Sequence, residues 1–283
     1  MCKIFAVIVA VIIHIFSIHA DDNIEFVHND IPIDEKAKYG NLQDILRRGE
    51  LVVCALDRDY NEFFQMKVND KYIGEDIRFA TELGKALGIK VIYKMLYKSQ
   101  NDIVNAIANG KGDIGIAKLS YTIERARKAT YSNPYVNSRK MLMVNRLATV
   151  DKQDSLNEIL NNPTAKIAVM KNTSYESFAK HLFKNTKILS ETDWESGAIK
   201  KLISGEVTAI MRDELRIKQK IMSNPKLLIN FLPIILKNTS DSISAISNIN
   251  EQSLIQFVNK FLENEYKKLS IQEIIDTYKD YIR

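Results

Sequence analysis

The sequence predicts an α/β protein built from two similar units, on three observations. Short apolar runs alternate with stretches of helical spacing, several of which end at a Gly. The alternation runs once over the first half and restarts at Lys166. Two more helical stretches close the chain. Strands that alternate with helices imply mostly parallel sheets with both faces covered.

Each element has its own warrant. Residues 42–48 read as a short helix stopped by Gly49, and 51–56 as a buried strand by their unbroken apolar run. Residues 76–87 carry Ile77, Ala80, Leu83 and Leu87 at helical spacing before Gly88, a C-cap signal. A second strand follows at 89–95, a helix at 102–109 before Gly110, a third strand at 113–117 and a helical turn at 122–128. The second round has a strand at 166–170, a helix at 174–183, a short strand at 187–190, a helix at 195–204 before Gly205 and a strand at 207–212. The tail gives helices at 251–268 and 271–281.

Composition narrows the function classes. The 283 residues are 46% apolar and 27% charged, enough for a substantial core, which excludes a mainly disordered chain and a disulfide-stapled miniprotein. Lys and Arg exceed Asp and Glu by 40 to 35, spread without a long basic block, so a nucleic-acid partner is not expected.

The N-terminus reads as an export signal over residues 1–20. Lys3 precedes an apolar run over 4–18, and Ala20 precedes Asp21 and Asp22. The apolar run is short for a spanning helix. Ile18 fits the small-residue cleavage pattern poorly, so an uncleaved anchor stays open, and no Cys stands where a lipoprotein would place one. The mature chain is expected to be soluble and exported to the periplasm, with an acidic, loose leader over 21–41. Cleavage after Ala20 leaves Cys54 as the one cysteine and His28 and His181 as the histidines, so neither a disulfide nor a Cys/His zinc site is expected. Cys54 sits in an apolar run and reads as a buried core thiol. No metal, cofactor or catalytic residue is expected.

Gly110-Lys-Gly-Asp-Ile-Gly115 matches a dinucleotide-binding pattern but runs from helix into strand, the wrong way round for a phosphate site. The stretch with binding chemistry is Ser120-Tyr-Thr-Ile-Glu-Arg125, directly after a strand. Open α/β sheets place ligands where a strand end opens into a helix start. Ser and Thr can cap the turn and leave backbone N–H groups for an anion. The planar fork of Arg125 suits a carboxylate. A capped surface turn is the competing reading.

From about residue 42 to residue 281 the sequence resembles the amino-acid-binding type of periplasmic solute-binding protein that serves ABC importers. The resemblance rests on Leu42-Gln-Asp-Ile-Leu-Arg-Arg-Gly-Glu-Leu, Asp57-Arg-Asp-Tyr60, Gly74-Glu-Asp76, Asn109-Gly-Lys-Gly-Asp113, Ser120 to Arg125 and Tyr131-Ser-Asn-Pro-Tyr135, in that order. Thinner matches follow at Asn172-Thr173-Ser174 and Gly205 to Asp213. It implies a two-lobe clamshell with lobe one at 42–137 and 242–283, lobe two at 138–241, and two hinge strands. It implies a monomer that hands a free amino acid, polar or acidic, to a permease in the inner membrane. By the same analogy Arg125 holds the ligand carboxylate with Ser120 and the Thr173 backbone, and Asp213 holds the ammonium, with the Lys118 carbonyl as a second acceptor. Tyr60 would lie against the ligand side chain, with Asp57 and Gln100 near the pocket.

Three positions depart from the family pattern. Asn172 stands for the usual Gly, and Asn tolerates positive φ better than most residues. Asn61-Glu62 stands for a Pro pair. Lys118 stands for a small residue, and its ammonium either enters the cleft, favouring an acidic or neutral polar ligand, or snorkels outward. Asp213 also fits the N-cap of a helix over 214–222. The alternative function is a dehydratase of the same fold acting on a prephenate-like or arogenate-like acid. It would need a general acid, and Glu62, Glu75 and Asp57 offer themselves equally.

Overall fold

The apolar run at residues 51–56 lies at the heart of a six-stranded sheet. The computed structural model describes residues 23–28, 39–57, 63–148, 162–237 and 239–281. The expected export signal and Tyr60 lie outside these residues. The strands, in chain order, are β1 (Ile24–Val27), β2 (Glu50–Leu56), β3 (Met66–Val68), β4 (Lys71–Ile73), β5 (Lys90–Tyr97), β6 (Ile114–Gly115), β7 (Ala129–Tyr131) and β8 (Val136–Ser138). They continue with β9 (Lys140–Asn145), β10 (Lys166–Met170), β11 (Lys187–Glu191), β12 (Ala209–Asp213), β13 (Phe231–Ile235), β14 (Asp241–Ile243) and β15 (Ile246–Asn248).

The first sheet has the order β1-β5-β2-β6-β15-β7. Its β1, β5, β2 and β6 run parallel, while β15 pairs antiparallel with both β6 and β7. Side chains alternate across β2, as a strand requires. Leu51, Val53 and Ala55 join Phe79 and Leu83 of helix Glu75–Leu87, and Leu254 and Ile274 of the two C-terminal helices, in one core. Cys54 and Leu56 join Ile103 and Ile107 of helix Gln100–Ala108 in another. Both faces are covered, which is why β2 needs an unbroken apolar run.

The second sheet has the order β11-β10-β12-β9-β13. Here β10, β11 and β12 are parallel, and β9 and β13 are antiparallel. Two separate cores flank it. The chain passes from one sheet to the other along β8 and returns along β14, and these two strands pair antiparallel, Val136 opposite Ile243 and Ser138 opposite Asp241. The molecule is therefore two α/β lobes joined by two strands.

Several expectations need correction. The leader read as loose over 21–41 contributes a strand, because Ile24–Val27 adds to the free edge of β5. The antiparallel members β7, β9, β13 and β15 did not register in a pattern read as strand-helix alternation. They form two runs, β7 to β9 and β13 to β15, each joined by short links without helices between to mark its strands, and the helices of the second lobe separate the two runs. The helix expected from residue 195 begins as a π-helical stretch, Trp194–Ile199, before Lys200–Ile203. The Gly-rich match is confirmed as a turn. Gly110 has φ +66°, and a Cβ on Gly112 would stand 2.4 Å from the Cys54 Sγ.

Candidate functional site

Parallel strands of one sheet end on the same side, so their C-terminal ends share an edge. In the first lobe that edge carries Asp57 after β2, Gln100 after β5, and Lys118 and Ser120 after β6. In the second it carries Asn172 and Thr173 after β10, and Asp213 at the end of β12. Such edges are where open α/β sheets receive ligands.

Arg125 is buried, and among the described residues its guanidinium donates to neutral oxygens. Thr122 caps the short helix Ile123–Ala126 by accepting from the Arg125 N–H at 3.2 Å, which turns the side chain back along the strand end. Its Nε donates to Asn101 Oδ1 at 3.0 Å, Nη1 to the Ser120 carbonyl at 3.2 Å and Nη2 to Gln100 Oε1 at 3.1 Å. Among the described residues no carboxylate lies within 4.0 Å of this guanidinium. Burial draws its pKa down, as expected for a cation without a close counter-ion. Asn101, which sequence reasoning missed, completes the cradle.

Lys118 points across to the other lobe. Its backbone is left-handed at φ +47°, an unusual state for a residue with a long side chain. The backbone is held from both ends, since the Lys118 N–H donates to Asp76 Oδ2 at 2.9 Å and its carbonyl accepts from Gln100 Nε2 at 2.7 Å. The ammonium passes over the Phe64 ring and meets Asp213 Oδ2 at 2.8 Å. Of the two sequence readings of Lys118, the buried one holds. Its carbonyl, expected to take a ligand ammonium, already accepts from Gln100.

Asp213 is fully buried. Its Oδ1 accepts from the Arg216 N–H at 3.0 Å and so caps helix Glu214–Ser223, the competing structural reading, which is realised. Its Oδ2 meets Lys118, lies 3.3 Å from the Tyr175 hydroxyl and 3.9 Å from Arg212 Nε. Burial pushes this carboxyl up, but Lys118 and Arg212 outweigh it and hold the pKa at about 2.

Five further residues of the cluster escaped sequence reasoning. Tyr175 donates to Asp241 Oδ2 at 2.5 Å and links it to Asp213. Arg212 packs over the rings of Tyr175 and Trp194, at 5.3 and 5.4 Å from their centroids. Arg212 Nε and Trp194 Nε1 are buried without a hydrogen-bond partner among the described residues. Lys140 lies 3.8 Å from Asp241 Oδ1. The available signals were the cation beside Asp213 and the aromatic two residues after Thr173, both weak in sequence alone.

The remaining positions are placed as follows. Asn172 adopts φ +59°, the left-handed state its family counterpart Gly would take, and its N–H donates to Glu176 Oε2 at 2.8 Å. Thr173 is the N-cap residue of helix Ser174–Leu182, and its hydroxyl donates to the Met170 carbonyl at 2.6 Å. Ser120 is buried beside Arg125. The Asp57 carboxylate pairs with Lys98. Glu75 accepts from Arg78 and from the Tyr266 hydroxyl at 2.7 Å, an arrangement that ties helix Glu75–Leu87 to the tail.

Comparison with known families matches residues 52–281 to the bacterial extracellular solute-binding proteins, family 3. The chain belongs to this family. Among curated members, a cyclohexadienyl dehydratase from Pseudomonas aeruginosa is 25% identical over 192 residues, 68% of this chain and 69% of that protein. A probable histidine-binding protein from Campylobacter jejuni is 26% identical over 165 residues, 58% of this chain and 61% of that one. The aligned parts thus span about two thirds of these relatives. Among solved structures, an amino acid ABC transporter substrate-binding protein, AbpA, from Streptococcus pneumoniae, bound to L-arginine, superposes with a TM-score of 0.65 at 24% identity. That match covers 85% of this chain and 99% of the other, and it shows the shared two-lobe fold.

Proposed function

We propose that this chain is a periplasmic receptor that captures a free amino acid between its lobes and delivers it to an ABC permease. It acts as a monomer, after export directed by residues 1–20. Lobe one runs over 42–137 and 242–283, and lobe two over 138–241. The observation that carries this reading is Arg125, a buried guanidinium bonded to three neutral oxygens at the strand edge facing the other lobe. A cation held this way is preorganised for a carboxylate, and a charge-assisted pair in a dry cleft is strong. The carboxylate would also meet Ser120 and the Thr173 N–H, and the ammonium would meet Asp213. A ligand gripped by both lobes favours closure.

A thermal shift of the mature protein against the twenty amino acids tests this. A ligand that binds only the folded protein at a hundredfold excess over its Kd adds about 2.7 kcal/mol of apparent stability. One or a few amino acids should raise Tm, and Arg125→Ala should abolish the rise. The similarity to a cyclohexadienyl dehydratase supports a second reading, an enzyme on the same fold. Two carboxylates considered as its general acid, Asp57 and Glu75, are engaged by Lys98 and by Arg78 with Tyr266. A silent panel with consumption of prephenate would favour the enzyme.

A further inference from the structure

We infer that the cleft takes two carboxylates, one on Arg125 and the second on Lys118 with Arg212, so that the ligand is a short dicarboxylic acid. This rests on the reading that Arg125 faces the ligand, and it names the ligand's chemistry.

The ammonium subsite is already filled from within. Asp213 receives Lys118 and the Arg216 N–H, with the Tyr175 hydroxyl and Arg212 alongside. An incoming ammonium must displace that of Lys118, which is itself buried. A displaced buried cation needs a new anion. A monocarboxylate zwitterion has none to spare, because its one carboxylate goes to Arg125. A second carboxylate supplies it. If the ligand carries no ammonium, the Lys118–Asp213 pair stays whole and the second carboxylate meets the free side of these cations.

The charges of the cluster agree. Tyr175 joins the group into one unit, touching Asp213, Asp241 and the Arg212 guanidinium. Its cations are Lys118, Arg125, Arg212 and Lys140, and its carboxylates are Asp213 and Asp241, with Asp76, which burial raises to about 7, bonded to the Lys118 N–H. The cluster keeps an excess of positive charge that ligand carboxylates offset, whereas a cationic side chain adds to it. Arg212 has a second mark of a receptor group. It is fixed against two aromatic rings, and its buried Nε lacks a hydrogen-bond acceptor among the described residues. Lys118 is held in a left-handed backbone by Asp76 and Gln100, so its direction is set before any ligand arrives.

Calorimetric titration of the mature protein with L-glutamate, L-aspartate, glutarate, succinate, L-glutamine and L-arginine decides the matter. The dicarboxylates should bind about tenfold or more tightly than glutamine, with arginine weakest. Glutarate against glutamate distinguishes an acid without an α-ammonium from an acidic amino acid. Lys118→Met should erase the preference of glutamate over glutamine, and Arg212→Met, which leaves the Lys118–Asp213 pair intact, should reduce it. The second variant carries the test if the first does not fold. Tighter binding of glutamine, arginine or another monocarboxylate amino acid overturns the inference and leaves the amino-acid receptor standing. A preference that survives both substitutions overturns the roles of Lys118 and Arg212. Binding of no member of the wider amino-acid panel brings down the receptor reading as well.

Discussion

Replacing Lys118 by Met removes an ammonium while keeping side-chain length and the cost of the left-handed backbone. The pair it breaks spans 2.8 Å, with Lys118 at 8% and Asp213 at 0% side-chain exposure. At that separation two unit charges attract by about 6 kcal/mol for an effective dielectric of about 20. The net loss is smaller, because burying both charges was itself costly. Removing one partner of a buried pair destabilises by about 3–5 kcal/mol. For lobes of this size that lowers Tm on the order of 10 °C. The pH dependence is sharper than the magnitude. In the native protein the Asp213 pKa lies at about 2, below its ordinary 3.8. A carboxyl lowered by folding stabilises above its unfolded pKa, and that stability is lost as pH falls from 3.8 towards 2. Without Lys118, burial is opposed by Arg212 and the Arg216 N–H, so the carboxyl rises from about 2 and its ionised form stabilises the fold less at neutral pH. The Tm difference between Lys118→Met and the native protein should be greatest near neutral pH and shrink on acidification. Thermal unfolding by circular dichroism, without ligand, reads it. A difference that stays constant as the pH is lowered, or no loss of Tm at neutral pH, would refute the buried pair.

Three other outcomes follow from groups at or near the site. Burial raises the Asp76 carboxyl to about 7 despite its bonds to Tyr135 and the Lys118 N–H, so its ionisation costs stability as pH rises from 3.8 through 7. Asp76→Asn should flatten that part of the Tm profile, and an unchanged slope would count against the assignment. Burial pushes the Cys54 thiol up to about 12, so a thiol reagent at pH 8 should react only as fast as the protein opens, and rapidly in urea. Gly112→Ala sets a methyl 2.4 Å from the Cys54 sulfur and should destabilise by about 1–3 kcal/mol in urea unfolding, which Cys54→Ala in the same chain should partly restore.

The buried parallel strands and their helices were legible because each obeys a local rule. The run at 51–56 needs no partner to announce a strand covered on both faces, and Gly49, Gly88, Gly110 and Gly205 all adopt the positive φ expected where a helix ends. The antiparallel strands were not legible. Lys140–Asn145 holds an apolar run over 141–144, yet its neighbours β12 and β13 come from distant sequence, and no helix directly precedes it to mark a new unit.

The sequence by itself determined the α/β lobes and the capped turn that carries Ser120, Thr122 and Arg125, whose backbone geometry is local, whereas Gln100 and Asn101, which hold the guanidinium, come from another helix. The tertiary structure decided which charges meet. Lys118 and Asp213 stand 95 residues apart, and only the facing of two strand edges brings ammonium and carboxylate to 2.8 Å. Tyr175, Arg212 and Asp241 join them for the same reason. Electrostatic pairing depends on distance in space and on exclusion of water, and neither is written in the spacing of residues along a chain.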